Sequence, residues 1–261
     1  DRRIPAGAPA GTEVGRLTAA VNGMLARIQA ALADAARSQE RLRVFVADAS
    51  HELRTPLTSI RGYIELVRKG MVPVDARPDV LRRADEEAVR MATIVDDLLF
   101  LARLDAEPAL RHEPVDLTIV VRDALADALA VQPGRPTRLV VPDRCVVTGD
   151  RAALRRVVTN LLANVRAHTP PDAAVRVAIT DRPQGTVTLS VADDGPGIPT
   201  DIADHAFDRF VRTDSSTGSG LGLAIVAEIV RGHGGDVALD GNTAGTTVTV
   251  TLPTGTFIDS A

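Results

Sequence analysis

Leu53, Leu57, Ile60, Ile64 and Val67 follow one another at alternating steps of four and three residues. A strand cannot hold such a set on one face, because its side chains alternate with a period of two. A helix keeps the set in a single seam. Gly70, Pro73 and Pro78 end this pattern. A second stripe, with Leu81, Ala84, Ala88, Met91, Val95, Leu98 and Leu101, predicts another helix over about Asp79–Leu104. Two long amphipathic helices on a short loop predict an antiparallel hairpin. A lone hairpin cannot bury its whole seam, so two are expected to pair as a dimeric four-helix bundle. Upstream, Val14, Leu17, Val21, Met24 and Ile28 predict a helix with Thr12 as N-cap. That pattern weakens after Ala33 and resumes at Leu42.

Beyond about Glu107 the texture changes. Strand-type runs occur at 139–141, 146–148, 175–180, 186–192, 236–239 and 246–252, with helical segments near 117–130, 150–167 and 221–231. This predicts a separate α/β domain with a sheet covered by helices, so the fold class of the whole chain is α+β. With aromatics at 2% and no Trp, Leu, Val, Ile and Ala must build the cores. A net charge of -4 gives no basic footprint, and no nucleic-acid partner is expected. Cys145 stands alone, so no internal disulfide can form, and a reducing compartment is expected. No run approaches the roughly 18 apolar residues of a membrane span, so the chain is expected to be soluble.

On the heptad helix lies VADASHELRTPLTSIRGY, residues 46–63. With Leu57 and Ile64 at position a, His51, Glu52 and Thr55 fall at b, c and f, away from the seam. His51 and Thr55 are four residues apart and share a face. A neutral imidazole can act as a nucleophile, and a neighbouring carboxylate can take its proton. On spacing alone, a solvated polar face accounts for the group at least as well. Pro56 removes a backbone donor and is expected to kink the helix.

Four further motifs follow in order. VVTNLLANVRAHT places Asn160 and Asn164 on one helical face, and amide oxygens suit Mg²⁺. VADDGPGIP puts Asp193, a potential acceptor for an adenine amino group, just past a strand, with Gly195 and Gly197 allowing tight turns. FDRFVR supplies Phe207, Arg209, Phe210 and Arg212. GSGLGLAIV brings Gly218, Gly220, Leu221 and Gly222 into a helix start, where backbone N–H groups can meet phosphate. Each motif alone also fits a capped helix, an ordinary turn or a small aromatic core.

In combination they are specific. FVADASHELRTPLTSIRGY closely resembles the phosphoacceptor box of bacterial sensor histidine kinases. The later motifs resemble the ATP-binding domain that those kinases share with Hsp90-type chaperones, DNA gyrase and mismatch-repair ATPases, and HGGDVALDGNTAGTTVTVTLP resembles its closing strands. GTEVGRLTAAVNGMLARIQ is similar to the second helix of a HAMP linker. The resemblance implies three regions: the end of a HAMP linker at 1–35, a dimerisation and histidine-phosphotransfer domain at 36–108, and an ATP-binding domain of Bergerat type at 109–261. It implies ATP and Mg²⁺ as cofactors, His51 as phosphoacceptor, Glu52 as its base, and Thr55 as the residue that orients a hydrolytic water. Asn164 would hold Mg²⁺. The partners implied are a second copy of the chain and a response regulator whose aspartate receives the phosphoryl group. A membrane would be met only through a preceding sensor region, which places the full-length protein in the bacterial cell membrane and this chain in the cytoplasm.

The sequence also departs from that family. Members often carry Lys or Arg three residues after the second Asn. Here Ala167 stands there, flanked by Arg166 and His168, which are taken as the candidate phosphate contacts. The segment between Arg212 and Gly218 is shorter and less basic than in many relatives. His112, His205 and His233 have no ligand spacing and are read as structural or solvated. Two other readings fit the same motifs: an ATPase of the Hsp90 class without phosphohistidine, and a nucleotide-binding dimeric relay without catalysis. Asn160, where the first of these would need a carboxylate base, argues against it.

Overall fold

The computed structural model describes residues 13–106, 110–182, 185–211, 219–242 and 245–254. They fall into two units, Asp1–Thr55 and Pro56–Ala261. The first is helical. Helix α1, Glu13–Arg68, continues beyond it into the second unit without interruption at Pro56. Helix α1 also runs unbroken through 33–42, where the apolar pattern weakens. Ala33, Ala35, Ala36, Arg37, Gln39 and Glu40 are strong helix formers and carry the helix without an apolar stripe. The expected N-cap, Thr12, lies outside the described residues.

In the second unit, Gly70 (φ 68°) stops α1. Its N–H donates to Val67 O and that of Met71 to Leu66 O, the two bonds of a Schellman cap. A 3₁₀ turn at Val74–Ala76 leads into helix α2, Arg77–Ala106, completing the helical hairpin. The α2 stripe divides into two. Ala84, Ile94, Leu98 and Leu101 are buried, whereas Leu81, Ala88 and Val95 are exposed. On the seam, Leu57 and Ile64 remain 49% and 52% exposed.

Strand β1 (Glu113–Asp116), a strand the hydrophobic pattern misses, pairs antiparallel with β3 (Val146–Gly149) in a small separate sheet. The main sheet has the order β2-β4-β5-β7-β6, formed by β2 (Thr137–Val140), β4 (Val175–Arg182), β5 (Thr186–Asp193), β6 (Asp236–Asn242) and β7 (Gly245–Pro253). β2 is parallel to β4, and every other pairing is antiparallel. Val187, Leu189 and Val191 of β5 and Val248, Val250 and Leu252 of β7 alternate onto the buried face. Helices α3 (Leu117–Val131), α4 (Arg151–His168) and α6 (Gly222–Gly232) supply the other side of that core. In α4 the buried set Leu154, Val158, Leu161 and Val165 recurs at helical spacing. The short helix α5, Thr200–Ala203, was also not foreseen. Cys145 is half-buried beside β3. No helix among the described residues is long and apolar enough to cross a membrane.

Candidate functional site

Three motifs separated in sequence meet around β5, α4 and α6. Asp193 ends β5, and its Oδ1 accepts from the backbone N–H of Gly195 at 3.0 Å and of Thr246 on β7 at 3.3 Å. This aims the carboxylate and leaves Oδ2 without a hydrogen bond among the described residues. Burial holds the Asp193 carboxyl above its usual range, and Asp194 adds to this. The two backbone N–H groups and the charge of Arg135 act in the opposite sense. Gly195 is required here by close approach: a Cβ would lie 2.5 Å from Thr169 Cγ2 and 2.9 Å from Asp193 Oδ1. A cleft of about 400 Å³ opens beside Asp194 and Gly195. Gly197 takes a left-handed φ of 77° in the same turn.

The α4 face carries the asparagines. Asn160 Nδ2 donates to Gly222 O at 3.1 Å, which ties α4 to the first residue of α6. Asn164, one turn on, is half-buried, and its side chain has no hydrogen bond among the described residues. An amide oxygen left open in this way fits a hard cation such as Mg²⁺. His168 continues the face, and desolvation pulls its imidazole below the usual value against the field of Asp193. Arg166 does not join this group. It lies about 200° around the helix from Asn164, on the stripe of Arg155, Thr159 and Ala163, and lines a cleft of about 500 Å³ between α3 and α4.

The last two motifs adjoin each other. The N–H of Phe210 donates to Gly220 O at 2.8 Å, joining the Phe-Arg segment to the Gly-rich turn. Phe210 itself has φ 65°, a strained value for a residue with a Cβ. Gly220 takes φ 69° without that strain. Leu221 is fully buried and caps α6, which begins at Gly222, its first-turn N–H groups having no intrahelical partner. Phe207 and Arg209 are half-buried, and Arg209 is already engaged in a contact. Arg212 and Gly218 lie outside the described residues.

His51, Glu52 and Thr55 belong to the first unit. His51 and Thr55 are exposed on one face of α1, with Thr55 Oγ1 3.5 Å from His51 O, and Glu52 is half-buried with a partner.

Several residues that support the site carry no motif. Asp97 on α2, 9% exposed, accepts from Arg156 of α4 and from Ser219, the residue before Gly220. His233, read as structural, is buried. Its Nδ1 pairs with Ile229 O at 2.7 Å, and its Nε2 accepts the N–H of Asp150 at 2.9 Å, which fixes the ring between α6 and the start of α4. The remaining unforeseen support is Arg135, in the turn QPGRP. A charged residue in a turn ordinarily signals only solvent, so nothing in the sequence distinguishes it.

Residues 41–107 match the His Kinase A (phospho-acceptor) domain. Residues 149–256 match the histidine kinase-, DNA gyrase B- and HSP90-like ATPase family. The probable sensor histidine kinase TcrY of Mycobacterium tuberculosis is 43% identical over 93% of this chain and 52% of its own length. The signal transduction histidine-protein kinase/phosphatase MprB of the same organism is 38% identical over 92% of this chain and 49% of its own. The chain thus spans about half the length of the curated relatives it matches. The solved structure of full-length ShkA in complex with AMPPNP shares 29% identity, covers 79% of this chain and 45% of that one, and superposes with a TM-score of 0.58. A phosphoacceptor helix followed by this ATPase domain places the chain in the family of two-component sensor histidine kinases.

Proposed function

We propose that this chain is the kinase core of a sensor protein, which phosphorylates His51 from ATP and passes the phosphoryl group to an aspartate of a response regulator. One observation carries the nucleotide half of this reading. The Asn-bearing helix α4 is hydrogen-bonded to the Gly-rich start of α6 through Asn160, and at its C-terminal end its cap residue Thr169 packs against Gly195 of the Asp193 turn, so three segments remote in sequence converge. Asp193 Oδ2 would accept from the adenine amino group. The N–H groups at the start of α6 would receive phosphate oxygens. Asn164 would hold Mg²⁺, which supplies charge neutralisation on the phosphates. Glu52 would take the imidazole proton as the His51 nitrogen bonds to the γ-phosphorus and the bond from that phosphorus to the ADP oxygen breaks. Thr55 would orient a hydrolytic water for dephosphorylation of the response regulator; a kinase/phosphatase pairing is printed in the name of MprB.

The exposed seam at Leu57 and Ile64 supports dimerisation through a four-helix bundle. Residues 1–35 are proposed as the end of a HAMP linker, 36–108 as the dimerisation and phosphotransfer domain, and 109–261 as the ATP-binding domain. A sensor and membrane part would precede them.

The test is incubation with Mg²⁺ and γ-labelled ATP beside His51→Gln. Label that is lost in acid, survives alkali and is missing from the variant is expected. ATP hydrolysis without labelled protein would favour the chaperone-like ATPase. Nucleotide binding without turnover or label would favour the relay.

A further inference from the structure

The guanidinium of Arg135 is spent entirely inside the protein. The residue is 9% exposed. Its Nε donates to Gln132 Oε1 at 2.9 Å. One terminal nitrogen donates to Thr169 Oγ1 at 2.7 Å and to Ala173 O at 3.2 Å. The other donates to Pro170 O at 3.0 Å, with Thr169 O at 3.5 Å. All but the Gln132 bond go to one short segment, 169–173, which follows α4. A planar fork of donors fixes position and orientation together, which a lysine cannot do.

That segment is the neighbour of the Asp193 turn. The Thr169 methyl occupies the space a side chain at residue 195 would need. On the far side, the N–H of Ala174 donates to Asp194 Oδ1, and the N–H of Asp194 donates to Ala174 O. The chain of contact therefore runs from Arg135, through 169–174, to Asp194 and to Gly195, the N–H partner of the Asp193 carboxylate. We infer that Arg135 is a positioning residue for the nucleobase pocket: it holds the 169–174 segment against the Asp193–Gly195 turn whose carboxylate would meet adenine. This rests on the nucleotide reading above.

The field has a definite sign. The titratable and charged groups around Asp193 are Asp194 beside it, His168 at the end of α4 and Arg135 from the α3–β2 turn, while β7 contributes the N–H of Thr246. Of these, Arg135 favours the ionised carboxylate against burial. Removing its charge shifts the loss of the ionised form to higher pH. Binding that needs an ionised acceptor then fails earlier on acidification. A residue that served only to hold the fold together would lower affinity at every pH alike.

The experiment is ATP affinity by calorimetry from pH 5 to 8, on the whole chain, for wild type, Arg135→Met, Arg135→Lys and Asp193→Asn. The nucleotide's own titration is common to all four. Arg135→Met is expected to bind roughly tenfold more weakly at neutral pH, the loss of about one charge-assisted hydrogen bond, with its acid limb moved to higher pH. Arg135→Lys is expected to restore the acid limb but not the full affinity. Should Arg135→Met not fold, Thr169→Val, which keeps the methyl and removes one acceptor, is expected to lower affinity with the acid limb unmoved. An unmoved pH profile in Arg135→Met, whatever its affinity, or wild-type affinity in Thr169→Val where Met does not fold, overturns the inference while Asp193→Asn still weakens binding. No ATP binding by the wild type would overturn the nucleotide reading and this inference with it.

Discussion

Arg156 of α4 donates to Asp97 of α2 at 2.6 Å, and its guanidinium lies 4.0 Å from the centroid of the Phe100 ring. Ser219 donates to the second oxygen of the same carboxylate at 3.2 Å. Asp97 is thus satisfied by two elements that also carry nucleotide motifs: Arg156 is one turn before Asn160, and Ser219 directly precedes Gly220. Truncating one partner of such a buried pair leaves a charge without compensation, which costs more than the pair itself contributes.

Asp97→Ala and Arg156→Ala are each expected to loosen the start of α6. The double variant should cost about 1–3 kcal/mol less than the sum of the two. Hydrogen exchange at the amides of Ile225–Glu228, the first with intrahelical bonds, reads this, about tenfold faster for each 1.4 kcal/mol lost. Additive effects would show that the two side chains do not act as a pair.

Asp150 caps α4, with its Oδ1 accepting from the N–H groups of Ala152 at 2.8 Å and Ala153 at 3.0 Å. Burial raises its pKa, but these N–H groups, that of Arg111 and the Arg111 charge outweigh it, so the carboxyl lies below its usual value. A depressed carboxylate contributes stability that is complete above its unfolded pKa and is lost as pH falls through the folded one. Asp150→Ala should therefore cost about 1 kcal/mol at neutral pH. The difference between variant and wild type should narrow below about pH 4. Melting temperatures of both proteins at pH 7 and pH 3.5 decide it, and a constant difference would refute the cap.

Asn160 gives its amide N–H to Gly222 O. In Asn160→Asp an ionised carboxylate would face that carbonyl, acceptor against acceptor, at a cost of about 1–3 kcal/mol. The expected result is a lower melting temperature together with weaker ATP binding, and Asn160→Ser should be milder. A fully stable Asp variant would mean that the α4–α6 link is dispensable.

Gly195→Ala places a methyl 2.5 Å from Thr169 Cγ2. The segment that Arg135 grips cannot retreat without breaking its hydrogen bonds. ATP affinity should fall at least tenfold, and the additional change Thr169→Ser, which removes the obstructing methyl, should recover part of it. Titration calorimetry on the three proteins tests both statements.

The long helices and most strands are legible because their signals are local. A four-three spacing needs only its own turns to be a helical seam, and Val187, Leu189 and Val191 reveal a strand by alternation. The four-residue strand Glu113–Asp116 carries no such alternation, and its register exists only through pairing with β3. The motif residues were legible as chemistry: carboxylate past a strand, amides on a helix face, glycines at a helix start. Arg166 shows the limit. Its charge suited a phosphate contact, but the angle of one residue on α4 carried it to the α3 side. Asp97, Arg156, Ser219 and Arg135 show the complement. Each is an ordinary polar residue in its local sequence and acquires its role only when segments 34 to 122 residues away arrive beside it. Local periodicity and backbone preference, written into neighbouring residues, determine the elements and the kind of chemistry each can offer. Which charges are buried, which donors they satisfy and which way a carboxylate points follow from long-range packing, because those energies depend on neighbours that no stretch of sequence contains.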